Sequence, residues 1–87
     1  MNKKQRKILE QLFEIPTRSD IRWADIETLI KGFGGVLSEG NGSRVRIELH
    51  GVKAVFHRPH PKKTTDKASV VSMRRFFKNA GIDHDEI

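Results

Sequence analysis

A chain of 87 residues allows one small domain, near the size at which a single core is only marginally stabilising. It contains no cysteine, which excludes disulfides and thiolate metal sites, and no apolar run approaches the roughly 18 residues of a membrane span. Its net charge of +6 is unevenly held: between Gly40 and Lys78 ten Lys/Arg stand against Glu48 and Asp66, a net +8, while the rest of the chain carries −2.

The first element, Asn2 to Glu14, is predicted as a helix because Ile8, Leu9, Leu12 and Phe13 recur at helical spacing. Lys3, Lys4, Arg6 and Lys7 crowd its first turns, where cations oppose the macrodipole, so that end is expected to fray. Pro16 marks its end. Packing on the next helix is its expected task, with a phosphate-gripping basic arm as the alternative. That next helix is expected to run to Gly32, with Ser19 or Asp20 as its N-cap. Trp23, Ile26, Ile30 and Phe33 share one face with Leu29 beside them, so Trp23 reads as a core anchor and not a base-stacking platform. Asp25 and Glu27, two residues apart, do not share a face; they read as solvent-facing carboxylates and not as an acid/base pair.

Gly34-Gly35 releases this helix, and Val36 to Glu39 is predicted as a first strand. Gly40-Asn41-Gly42 is a hairpin signal, since Asn and Gly both accept left-handed geometry. It lacks the Gly-Lys-Ser/Thr ending of a phosphate-binding P-loop and leads into a strand, not a helix. In the second strand Val45, Ile47 and Leu49 alternate with Arg44, Arg46, Glu48 and His50, the period of a sheet with one buried and one wet face. His50-Gly51 is predicted as a turn, and Val52 to His57 as the return strand. Arg58-Pro59-His60-Pro61 then stops the sheet, since proline fixes φ and removes a donor. The hairpin is expected to gather Arg44, Arg46, Lys53 and Arg58 with His50, His57 and His60.

Lys62 to Lys67 reads as a basic loop, and Thr65 or Asp66 as the cap of a last helix. Val70, Met73, Phe77 and Ala80 form its buried stripe with Phe76 beside it, while Arg74, Arg75 and Lys78 are expected to face outward. Gly81 supplies the left-handed stop and Ile82 folds back as a hydrophobic clasp. Helices on one face of a three-stranded antiparallel sheet give an α+β domain.

Gly42-Ser43 before a strand, the Gly51 turn, the Arg58-Pro59-His60-Pro61 exit and a helix ending in Ala80-Gly81-Ile82 follow in an order that resembles the HicA family. These are the small ribonuclease toxins of bacterial HicA–HicB toxin–antitoxin pairs. The resemblance covers about residues 21–82. It implies a double-stranded-RNA-binding-domain-like fold, metal-independent cleavage of mRNA without a cofactor, and a HicB-like antitoxin as protein partner. Residues 1–18 would then be an N-terminal helical extension, 19–82 the HicA-like domain and 83–87 an acidic tail. The chain departs from the family at one point. A catalytic His usually follows the Gly-Ser, and here Arg44 and Val45 stand there.

With that histidine gone, His57 and His60 are the expected catalytic pair, because an imidazole can take a proton from an RNA 2′-hydroxyl or give one to the leaving oxygen. The plainer reading is a pair of surface histidines. Ser43, Arg44, Arg46, Lys53, Arg58, Lys62 and Lys63 are the expected RNA contacts, a hydroxyl and six cationic groups suited to phosphate; paired, solvated strand residues are the alternative for Arg44 and Arg46. His57 and His60 with Asp66 make a poor metal set, and Ser43 lacks the elbow of a hydrolase nucleophile. A basic concentration of this kind is the electrostatic footprint of a nucleic-acid binder. MNKKQRKILE has no apolar core of a signal peptide, so a cytoplasmic location is expected. Two other functions fit the same residues: a non-catalytic RNA-binding module, or a domain docking an acidic protein.

Overall fold

Helix α1 (Lys3–Leu12) starts where two side chains satisfy each other, in a computed structural model that describes residues 1–83. The Asn2 side chain accepts from the Gln5 N–H at 2.7 Å, and the Gln5 side chain accepts from the Asn2 N–H at 3.1 Å. This capping box occupies donors that would otherwise be orphaned, so the end expected to fray is closed by hydrogen bonds despite its cations. Ile8, Leu9 and Leu12 are buried, and α1 rests on both other helices.

Helix α2 (Trp23–Gly32) starts later than its capping signals suggest. Neither Ser19 nor Asp20 caps it; the N-cap is Arg22, without a side-chain bond. Asp20 is taken by Arg18 at 2.8 Å. The chain here runs extended, bridging Arg22 to Thr64, with the Thr65 N–H on the Ile21 carbonyl at 2.8 Å and the Trp23 N–H on the Lys63 carbonyl at 3.0 Å. Long-range backbone pairing thus sets the helix start where a local cap was expected.

Strands β1 (Val36–Glu39), β2 (Arg44–Leu49) and β3 (Val52–His57) form one antiparallel sheet in that order, with the predicted bounds. His50 and Gly51 have φ of 50° and 83°, the doubly positive geometry of a two-residue type I′ turn. That turn fixes the register, pairing Leu49 with Val52 and, at the far end, Arg44 with His57. Val45, Ile47 and Leu49 are buried, whereas Arg44, Arg46 and Glu48 are exposed. Helix α2 packs against β1 and α3 (Lys67–Asn79) against β3, leaving the other sheet face open.

Of the two possible caps, Asp66 begins α3, accepting from the Ser69 N–H at 3.1 Å. The helix buries Val70, Met73, Phe76 and Phe77. It ends as expected: Gly81 has φ of 82°, its N–H reaches the Lys78 carbonyl at 3.0 Å, and the Ile82 N–H reaches the Phe77 carbonyl at 2.9 Å. This is the Schellman arrangement, and Ile82 is buried behind it. Arg74 corrects the outward-facing expectation. It is half-buried and donates to the Leu12 and Glu14 carbonyls and the Thr17 hydroxyl at 2.9, 3.1 and 3.1 Å, closing the end of α1.

The result is an α+β domain of three helices and a three-stranded sheet, consistent with the double-stranded-RNA-binding-domain-like arrangement. Of the expected acidic tail, positions 84–87 lie outside the described residues. Among the described residues no helix is long and apolar enough to cross a membrane.

Candidate functional site

The open sheet face carries the side chains that β2 and β3 alternate away from the core. Arg44 and His57 are direct cross-strand partners, and the next outward pairs are Arg46 with Val55 and Glu48 with Lys53. Lys53 therefore lies across the hairpin on the face of Arg44 and Arg46, as expected, with Glu48 as its direct partner. The Arg58 N–H donates to the Ser43 carbonyl at 2.9 Å, adding one rung beyond the strands. Rungs alternate in an antiparallel ladder, so Arg44 and His57 form the non-hydrogen-bonded pair, whose side chains come closest. The Ser43 Oγ lies 3.4 Å from the His57 Nδ1. A permanently charged guanidinium, a hydroxyl and an exposed imidazole thus share one corner of the sheet.

Arg58, next along the chain, is anchored by carboxylates. Its Nε donates to the Glu27 Oε2 at 2.8 Å and its Nη1 to the Glu39 Oε1 at 2.6 Å. The Trp23 indole N–H donates to the same Glu27 oxygen. These charge-assisted bonds push the Arg58 guanidinium further toward its charged form, Glu39 acting before Glu27, and the Arg58 bonds hold the Glu39 carboxyl below its ordinary range. Glu27 is therefore not solvent-facing. Its side chain is 18% exposed because α2 lays it against the β3 exit, and Asp25 is likewise half-buried beside Lys4 at 3.5 Å. Sequence reasoning overlooked Glu27 and Glu39 as partners; the one local signal was that Glu27 lies four residues after Trp23, the spacing that stacks two side chains on a helix. Replacing Glu27 with Ala is expected to lower stability by about 1–3 kcal/mol, because it strips the Trp23 N–H and Arg58 together. Urea unfolding measures this, and an unchanged midpoint would show that the bridge holds nothing.

The exit loop continues with exposed His60, Lys62 and Lys63. The backbone contacts of Lys63 and Thr65 with the start of α2 pin this loop, so its cations project from a fixed support. His57, Arg58, His60 and Lys62 share a groove of about 440 Å³ with the start of α3. Along the open face runs a second, smaller groove of about 350 Å³, lined by Arg46, Lys53, Val36 and Val55 among others. His50 is not part of either site. Its ring lies at the other end of the hairpin, 3.0 Å from the Ala80 carbonyl and 3.2 Å from the Phe33 carbonyl, and staples the turn to the ends of α3 and α2.

Chemically, the corner offers a proton acceptor or donor at His57, a hydroxyl that can orient its ring, and cations for an anionic substrate. No three His, Asp or Glu side chains among the described residues gather where a metal ion could be held.

The sequence model of one protein family, described as the HicA toxin of bacterial toxin-antitoxin, matches residues 23–82. That stretch contains α2, the whole sheet, the exit loop and α3, and leaves α1 outside. No match was found among curated proteins or solved structures.

Proposed function

The chain belongs to the HicA family of bacterial toxin–antitoxin toxins, and on that premise we propose that it is a metal-independent endoribonuclease that cleaves mRNA in the cytoplasm. A HicB-like antitoxin silences it by covering the basic corner. One observation carries the catalytic part of this reading: the hairpin register sets His57 directly opposite Arg44, the position where the family's usual histidine is missing.

In the proposed reaction the His57 Nδ1–H donates to the Ser43 Oγ, which leaves the lone pair of Nε2 to accept the proton of a ribose 2′-hydroxyl. The 2′-oxygen attacks the adjacent phosphorus and the P–O5′ bond breaks, giving a 2′,3′-cyclic phosphate and a 5′-hydroxyl. His60 or water protonates the leaving oxygen. Arg44 beside His57 stabilises the charge that grows on the phosphoryl oxygens. Arg46, Lys53, Lys62 and Lys63 hold the flanking strand, and Arg58, matched by two carboxylates, braces the loop that carries His60.

Inducing the protein alone, and separately with a HicB-like antitoxin, tests the reading through growth and mRNA integrity. Growth arrest with cleaved mRNA, relieved by the antitoxin, is expected. RNA binding without cleavage would leave a non-catalytic RNA-binding module, and no RNA binding would leave a protein-docking domain.

Among the described residues the open face carries no Phe, Tyr or Trp, so binding is expected to be mainly electrostatic. Affinity for single-stranded RNA should fall with salt by about 0.7 log units per phosphate contact per log unit of salt. Arg44→Ala with Arg46→Ala should reduce that slope by roughly 1.4, two contacts' worth. Titrations at several salt concentrations read it directly, and an unchanged slope would move the RNA off this face.

A further inference from the structure

The two edges of the sheet are not alike. Strand β1 is four residues long, and its Glu39 carbonyl already accepts from the Arg46 guanidinium at 3.3 Å. Strand β3 is six residues long, contains no proline and pairs with β2 one to one without a bulge. The rung between Arg58 and Ser43 sets its alternation. Val52, Ala54 and Phe56 turn their N–H and C=O groups toward β2, whereas Lys53, Val55 and His57 turn theirs outward. No hydrogen bond from any described residue reaches those outward backbone groups. An edge of this kind is a template for a further strand.

Helix α3 packs against β3 but leaves a groove along this edge, in two stretches of about 240 Å³ each. Phe56 and Val55 line both stretches, together with Ala68, Ser72 and Arg75 of α3. Those three helix residues recur at a spacing of four and three, so they share one face, and all are exposed. Two of them are small, which leaves room for side chains laid beside the helix. The charge in the groove has one sign. Lys53, His57 and Arg75 line it, and no Asp or Glu does.

We propose that the β3 edge docks an extended acidic segment of a partner protein, which joins the sheet as its fourth strand. The segment's backbone exchanges hydrogen bonds with Lys53, Val55 and His57, whose outward groups recur about every 6.8 Å, the two-residue repeat of a strand. Its side chains alternate between two environments. On the open face acidic ones meet Lys53 and His57; on the other side apolar ones lie against Phe56, Ala68 and Ser72. Charge disfavours a second copy of this chain. Two β3 edges paired about Val55 would set Lys53 of each against His57 of the other and join two chains of net charge +6. A phosphate backbone is also a poor match, since its oxygens accept but cannot donate to the outward carbonyls. The inference concerns backbone groups and does not rest on the endoribonuclease reading.

The probe is a synthetic peptide of about six residues, the length of β3, alternating glutamate and valine and capped at both ends. Titrated into the full chain at constant ionic strength, it should shift the amide resonances of Lys53, Val55 and His57 saturably and slow their hydrogen exchange. Val55→Pro removes the central outward donor and should still fold, because proline is tolerated where an edge N–H faces away from the sheet. It should weaken peptide binding about ten-fold, the scale of one hydrogen bond. Arg75→Glu, at an exposed helix position, is an independent probe and should weaken binding by a similar factor. Lys31→Glu makes the same change of charge on α2, which packs against β1 and not β3, and should change binding by less than about two-fold. If the peptide shifts none of the three amides, or if Val55→Pro and Arg75→Glu both bind it as the wild type does, there is no such site. A dimer in sedimentation equilibrium that Val55→Pro dissociates would assign the edge to a second copy and overturn the proposal. So would protection of the three amides by single-stranded RNA but not by the peptide.

Discussion

His57→Ala is expected to lower the rate of RNA cleavage by about 10²–10⁴-fold, the usual cost of losing a general base, and to abolish toxicity on induction. Its fold and RNA affinity should be nearly intact. The ring is exposed and approaches the Ser43 Oγ at 3.4 Å, a long hydrogen bond at best. Truncating it therefore removes little packing, so a collapse in rate cannot be laid to misfolding. Ser43→Ala should cost less, since it frees the ring to rotate without deleting it. His60→Ala should also cost less, because His60 sits in a loop between two prolines whereas His57 ends a strand and is held in register opposite Arg44. Cleavage assays on a defined RNA, with thermal unfolding as the control, compare the three. If His57→Ala and His60→Ala both cleave as the wild type does, the histidine assignment is wrong.

Leu9→Ala is expected to destabilise the protein by about 2–5 kcal/mol, the range for emptying a buried leucine site. Leu9 and Leu12 are 0% exposed in a core that also contains Ile26, Ile30 and Phe77. Helix α1 lies outside the stretch matched by the family, yet it contributes to the same hydrophobic cluster as the matched elements. A domain of this size has only about 4–13 kcal/mol of stability to lose. The loss should therefore appear as a large drop in the chemical denaturation midpoint, with the slope of the transition unchanged. A change below about 0.5 kcal/mol, the scale of a surface substitution, would mean that α1 is an appended arm and not part of the core.

The elements whose order depends on local backbone geometry were legible in the sequence. Alternation of Val45, Ile47 and Leu49 with charged residues gave β2 its bounds and its buried face, because side chains on a strand take opposite sides in turn. His50-Gly51 gave the turn, and a two-residue turn carries the hairpin register with it. Gly81-Ile82 gave the end of α3, since the left-handed cap is a property of a few consecutive residues. Where a polar group finds its partner was not legible, because that depends on which elements meet. Ser19 and Asp20 are sound caps by type, but Asp20 meets Arg18 and the strand-like pairing of Arg22 with Thr64 sets the start of α2. Glu27, Arg74 and Thr65 are polar residues that a helical or loop pattern places outside, and packing turns each of them inward. Glu27 meets Arg58 across 31 positions of chain and Arg74 meets Leu12 across 62. Sequence by itself determined which way each strand and helix faces; only the tertiary structure decided which charges cancel and which, at the corner of Ser43, Arg44 and His57, remain together on an open face. The physical reason is range: backbone periodicity is set within a few residues, whereas charge pairing and desolvation are set by neighbours that the chain brings together from far apart.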